Sequence, residues 1–187
     1  MYCPKHPQES LLEGELTAGL KANCCPICEG AWLEPAAYGA WQGQQQTVAV
    51  EDLTVPISRR LNREISVFDS RAGLCPDCGL YLVRQRLTLE NGGFFVERCP
   101  GCKGIWCDGG EWETLNELGL SAAIPYLFTE NWQSHSRQVE RQTREKQATA
   151  EKLGQELAQK VFELASLLED HPNGDFGVAY LMRRFEQ

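Results

Sequence analysis

Residues 99–112 read CPGCKGIWCDGGEW: three cysteines, two tryptophans and a run of glycines in one short stretch. Residues 25–38, CPICEGAWLEPAAY, lie over them without a gap. Cys25 falls on Cys99, Pro26 on Pro100, Cys28 on Cys102, Gly30 on Gly104, Trp32 on Trp106, Glu34 on Asp108 and Tyr38 on Trp112. Upstream, CPKH at 3–6 corresponds to CPDC at 75–78, with eighteen residues between the half-sites of the first copy and twenty between those of the second. The chain therefore carries one small module twice, followed by something else.

Each module reads alike. In the second, LYLVRQRLTLE (80–90) alternates between two faces, NGG (91–93) tolerates positive φ, and FFVERCP (94–100) returns, which predicts a β-hairpin. In the first, LLEGELTAGLKANC (11–24) has room for two short strands and a glycine-containing turn. After the second half-site comes a short helical segment, EPAAYGAWQ (34–42) in one copy and DGGEWETLNEL (108–118) in the other, with Pro35 suited to a first helical turn.

Cys-x-x-Cys turns aim two sulfurs at one metal, because the turn exposes backbone amides toward them and proline after the first cysteine stiffens it. Two such turns at opposite ends of a hairpin make a tetrahedral site. Cys3, His6, Cys25 and Cys28 form the first, and Cys75, Cys78, Cys99 and Cys102 the second. All four positions are filled by protein, the pattern of structural rather than catalytic zinc, so two zinc ions per chain are expected. Iron in a rubredoxin-like knuckle is the alternative chemistry for four cysteines. Two further cysteines are not demanded by the repeat. Cys107 stands where the first copy has Leu33 and reads as a small apolar residue under the hairpin. Cys24 adjoins Cys25 and is an alternative ligand, although using it would break the two-residue spacing kept elsewhere.

At these residues the chain resembles the transcription factor IIB-type zinc-ribbon family of small bacterial proteins, whose pattern is Cys-Pro-x-Cys, about twenty residues, then Cys-Pro-x-Cys-x-Gly-x-Trp-Leu-Asp-x-Gly-Glu. The second copy matches through Cys75, Cys78, Cys99, Cys102, Gly104, Trp106, Asp108, Gly110 and Glu111, with Cys107 in place of leucine. The first keeps Gly30, Trp32 and Leu33 but has His6 for a cysteine, Glu34 for the aspartate, and Ala36 and Ala37 for Gly-Glu. The resemblance implies zinc and the ribbon fold. Trp32 or Trp106 then serves as an apolar plate over the metal knuckle.

The expected architecture is a small metal-stabilised α+β protein. Zinc ribbon 1 spans 1–45, a connector 46–71, zinc ribbon 2 72–118, and a helical region 119–187. In the connector, Leu61, Ile65 and Phe68 fall at helical spacing after Ser58. From Thr129 to Glu169 the only breaker is Gly154, so one helix of up to forty residues is expected. Its first half is polar, while Leu153, Leu157, Val161, Leu164 and Leu168 line a coiled-coil-like stripe in the second. A short helix after DHPNGD (170–175) is expected to pack back on that stripe through Phe176, Tyr180, Leu181 and Phe185.

Net charge is −8 over 187 residues, which disfavours a nucleic-acid partner unless a local patch overrides the total. Arg59, Arg60 and Arg63 make one such patch; Arg137, Arg141, Arg144, Lys146 and Lys152, interleaved with Glu140, Glu145 and Glu151, read as a solvated helix face. The chain opens Met-Tyr-Cys-Pro without a charged-then-apolar leader, which with paired cysteines points to the reducing cytoplasm. Its longest apolar stretch, Gly119 to Phe128, is far short of the roughly twenty residues a membrane span needs. No nucleophile, acid–base pair or open metal site marks an enzyme: His135 and His171 stand in polar surroundings, and Glu111 and Glu113 read as parts of a solvated helix. The expected role is a protein-interaction adaptor or assembly factor with a protein partner, held through the ribbon helices or residues 130–187. The alternatives are a nucleic-acid-binding or transcription-associated role and a rubredoxin-like iron electron carrier; a homodimer through the C-terminal helix is the alternative partnership.

Overall fold

The structure, a computed structural model, describes residues 1–45, 66–89 and 92–185. They form two compact units, Met1–Gln133 and Ser134–Gln187. The Arg59, Arg60 and Arg63 patch and the connector positions Leu61 and Ile65 lie outside the described residues.

In the first unit each module contributes three strands. β1 (Leu12–Thr17), β2 (Leu20–Cys24) and β3 (Ala31–Leu33) belong to the first, and β4 (Val83–Leu89), β5 (Gly92–Arg98) and β6 (Ile105–Cys107) to the second. Both expected hairpins form, β1 turning into β2 at Gly19 with φ +80°. The modules, expected as separate ribbons, share one antiparallel six-stranded sheet of order β1-β2-β3-β6-β5-β4. The join is β3 against β6, with Ala31 opposite Cys107, Trp32 opposite Trp106 and Leu33 opposite Ile105. A three-residue strand presents too little ladder to stand as an edge on its own. Each copy covers the other's.

Alternation along the strands sorts the core into two layers. On one face, Leu20, Ala22, Leu33, Leu87, Phe94, Val96, Ile105 and Cys107 pack beneath the helices α1 (Pro35–Gln42) and α2 (Glu111–Glu117). Trp41 of α1 meets Trp112 of α2 edge-on at 5.3 Å between ring centroids. This core extends past the expected module boundary at residue 118. A 3-10 turn at Ser121–Ala123 and α3 (Ile124–Leu127) insert Leu120, Ile124 and Leu127, and Trp132, near the start of α4 (Glu130–Leu153), closes it. The other face carries Trp32, Trp106 and the cysteine knuckles.

The single long helix expected from Thr129 to Glu169 is two helices. Gly154, at φ +78° and ψ 155°, separates α4 from α5 (Gln155–Glu169). The Lys146 ammonium lies 5.8 Å from the Phe162 ring centroid, which sixteen residues of straight helix, about 24 Å long, would forbid. The expected packing of α6 (Gly174–Phe185) through its aromatics is also corrected. Phe176 and Phe185 are 72% and 84% exposed, and Tyr180 is exposed too. Close approach is made instead by the glycines: a Cβ on Gly174 would overlap the Leu168 carbonyl, and one on Gly177 would stand 2.5 Å from Leu168 Cδ2. Among the described residues no helix is long and apolar enough to cross a membrane.

Candidate metal centres

Each of the three Cys-x-x-Cys half-sites is a turn closed by its own backbone in the same way. Cys25 N–H donates to the Gly30 carbonyl and Glu29 N–H to the Cys25 carbonyl, at 2.8 and 3.0 Å. The same pair of bonds recurs from Cys75 and Gly79, and from Cys99 and Lys103. In these three turns the residue after the second ligand is left-handed: Glu29 at φ 57°, Gly79 at 72° and Lys103 at 72°. The Cys3–His6 turn, followed by Pro7, closes instead through Cys3 N–H to the Glu9 carbonyl and Glu9 N–H to the His6 carbonyl, both at 2.9 Å. Amides inside the turns point at sulfur. Lys5 and His6 N–H donate to Cys3 Sγ at 3.4 and 3.3 Å, and Cys78 N–H to Cys75 Sγ at 3.4 Å.

The donor atoms of Cys3, His6, Cys25 and Cys28 lie within 4.8 Å of one another, as do those of Cys75, Cys78, Cys99 and Cys102. All eight expected ligands thus assemble into two groups. Cys3 Sγ is 3.6 Å from Cys28 Sγ and 3.9 Å from His6 Nδ1; Cys75 Sγ is 3.6 Å from Cys102 Sγ, and Cys78 Sγ 3.3 Å from Cys99 Sγ. Two sulfurs ~2.3 Å from one ion at the tetrahedral angle stand ~3.8 Å apart, so both groups fit a metal ion. Burial pushes the Cys99 thiol up, but the Cys102 amide, the Cys78 thiol and the Gly101 amide outweigh it and bring it to about 7. His6 is braced by Phe68, edge-on at 4.6 Å. Cys24 belongs to neither group; its sulfur faces Gly14. Cys107 is fully buried in the helix-side core, where burial raises its thiol well above the ordinary range, and it packs as the apolar residue expected.

The tryptophans cover knuckles crosswise. A Cβ on Gly30 would stand 2.3 Å from Trp106 Cζ2, and one on Gly104 2.2 Å from Trp32 Cζ2. Each Gly-x-Trp is therefore half of a reciprocal contact: the glycine of one copy clears space for the indole of the other. Gly109 presses likewise on the Cys28 carbonyl, and Gly73 on Pro4.

One element of the site was missed in the sequence. Lys5, the third residue of the first knuckle, has a fully buried side chain that reaches into the second module. Its Nζ lies 3.0 Å from Glu97 Oε1 and 3.3 Å from Asp108 Oδ2, and it donates to the Arg71 carbonyl. Arg84 Nε also pairs with Glu97 Oε1 at 3.0 Å. Asp108 Oδ1 accepts the Trp106 indole N–H at 2.8 Å. Glu111, expected on a solvated helix, is 3% exposed. Gly110, left-handed at φ 85°, turns it back beneath the loop, where Oε2 accepts Asp108 N–H at 2.8 Å. The only available signal was the three-residue spacing of Asp108 and Glu111, which is that of a capping box.

The geometry thus gives two cysteine-rich groups, each able to hold a metal ion, on one sheet, locked by a pair of tryptophans and a buried lysine. Comparison with known proteins returns no match: no family model, no curated protein and no solved structure aligns significantly with this chain.

Proposed function

We propose that the chain is a non-catalytic, two-zinc protein of zinc-ribbon type that works as a protein-interaction adaptor or assembly factor. Thiolate-rich donor sets favour zinc, and four protein donors per centre leave no coordination position for water or substrate. The observation that carries the interaction role is the apolar surface of the helical unit. Leu157, Val161, Leu164 and Leu167 on α5 and Phe176, Tyr180 and Phe185 on α6 are all exposed. So many large apolar side chains left exposed along two neighbouring helices mark a surface that works in contact with another molecule. The charge of the second hairpin speaks against a phosphate backbone as that molecule. Arg84 is tied to Glu97, and Arg84 and Arg86 both lie over the Phe95 ring.

The test is retrieval of partners from cell lysate by the full zinc-loaded chain, with and without nuclease, beside a Leu164→Asp/Phe176→Asp variant that retains both metal ions. A partner kept after nuclease and lost in the variant supports the proposal. Retrieval abolished by nuclease, or unchanged in the variant, refutes it.

A further inference from the structure

The lysine network leaves a charge imbalance. Four buried carboxylates, Asp69, Glu97, Asp108 and Glu111, face two cations, Lys5 and Arg84, so two negative charges have no counterpart among the described residues. Glu97 is engaged with both cations. The excess falls on Asp69, Asp108 and Glu111, which each offer a carboxylate oxygen within 4.8 Å of the others'. Their remaining contacts fix these side chains in place. Asp69 Oδ1 accepts Phe95 N–H at 2.7 Å and lies 3.9 Å from Arg84, whose guanidinium also donates to the Asp69 carbonyl. Asp108 is held by the Trp106 indole and Lys5, and Glu111 by the Asp108 amide.

Satisfaction stops short of completing the set. Glu111 Oε1 is buried and accepts no hydrogen bond, and neither does Asp108 Oδ2, whose one partner is the Lys5 ion pair, nor Glu97 Oε2. An unpartnered buried carboxylate oxygen is costly, and the cost is met by a proton or by a cation. We propose that Asp69, Asp108 and Glu111 form a third cation site, which takes one hard divalent ion of the magnesium, manganese or calcium class.

Charge and donor type both point to such an ion. A divalent cation brings the cluster of four carboxylates, Lys5 and Arg84 to neutrality. An all-oxygen donor set selects these ions, whereas zinc is drawn to the thiolate groups. Oxygens on opposite sides of an ion at ~2.4 Å stand ~4.8 Å apart, so the observed spread encloses one ion. Burial, with Asp108 beside it, raises the Glu111 carboxyl well above its ordinary range, so ion binding there displaces a proton. Such an ion would clamp the Asp108–Glu111 loop to Asp69, near the end of the connector.

Mn2+ serves as the probe. The full chain, with both thiolate groups loaded, is equilibrated with Mn2+ and desalted, and its metals are counted. One Mn2+ per chain beside the two resident ions is expected. Glu111→Gln, which keeps an acceptor for the Asp108 amide, should retain the resident ions and weaken Mn2+ binding at least ~10-fold; Asp69→Asn should do the same. Mn2+ should also raise the thermal midpoint of the wild type and not of the variants, which settles the matter even where a variant folds poorly. No Mn2+ bound by the wild type, or equal binding by wild type and Glu111→Gln, overturns the site and leaves protons as the charge balance.

Discussion

Replacing Gly104 by alanine should break the joint between the two modules. The new Cβ would stand 2.2 Å from Cζ2 and 2.4 Å from Cη2 of Trp32, and carbons pack at ~3.5–4.0 Å, so the indole must retreat by more than ~1 Å. It has nowhere to go. Trp32 is fully buried among the cysteines of the metal-side core, and its strand is pinned by β2 and β6. Overpacking costs ~1–3 kcal/mol, and this rigid setting places Gly104→Ala at ~3 kcal/mol. Trp32→Leu alone should also cost ~3 kcal/mol, because it opens a cavity. In the double variant the added methyl enters that cavity, so the total should fall ~2 kcal/mol short of the sum. Urea unfolding of the metal-loaded chain, followed by far-ultraviolet circular dichroism, measures all three. Additivity within ~0.5 kcal/mol, or a Gly104→Ala cost below ~1 kcal/mol, would refute the crosswise packing.

Chelation at neutral pH should remove two ions and with them the cooperative unfolding of the sheet unit. Ion release should also follow falling pH, because the bound state holds its thiols deprotonated and the free state protonates them; a dye-based metal assay reads both, and full retention at about pH 3 would contradict thiolate ligation. Lys5→Met should destabilise the chain by ~3–5 kcal/mol, since Glu97 and Asp108 would lose their buried counter-charge, and a change under ~1 kcal/mol would mean the network is incidental. Glu29→Gly and Lys103→Gly should each stabilise by ~0.5–1 kcal/mol without altering metal content, because both positions are left-handed, and a loss of stability at either would show that its side chain does more than tolerate the turn.

The repeat was enough to place the ligands. Cysteine spacing constrains local turns, and the hairpin between half-sites is short enough that pairing in register brings them together. What could not be read was the contact between copies. Trp32 and Gly104 are seventy-two positions apart in the chain, and nothing local tells an indole that covers its own knuckle from one that covers its neighbour's. Lys5 was hidden for a related reason: a lysine inside a knuckle turn reads as solvated until the acceptors 92 residues on are placed around it. Glu111 misled through its neighbours, since charged residues after a glycine pair look like an exposed first turn, and only the positive φ at Gly110 turns the side chain inward. In the helical unit, Gly154 was visible as a breaker, but whether a lone glycine bends or merely weakens a helix depends on what the two halves meet.

The β3–β6 pairing has a consequence for the symmetry of the sheet unit. Trp32 meets Gly104 as Trp106 meets Gly30, the mutual contact by which two identical subunits associate about a twofold axis. The sheet unit is thus built as a homodimer written into one polypeptide, with the subunit interface turned into its core. Within one polypeptide the two halves are free to differ. Lys5 plunges inward while its counterpart Asp77 faces solvent, and Asp108 is buried where Glu34 is exposed. Asymmetry of that kind is closed to a true dimer, in which every substitution appears twice.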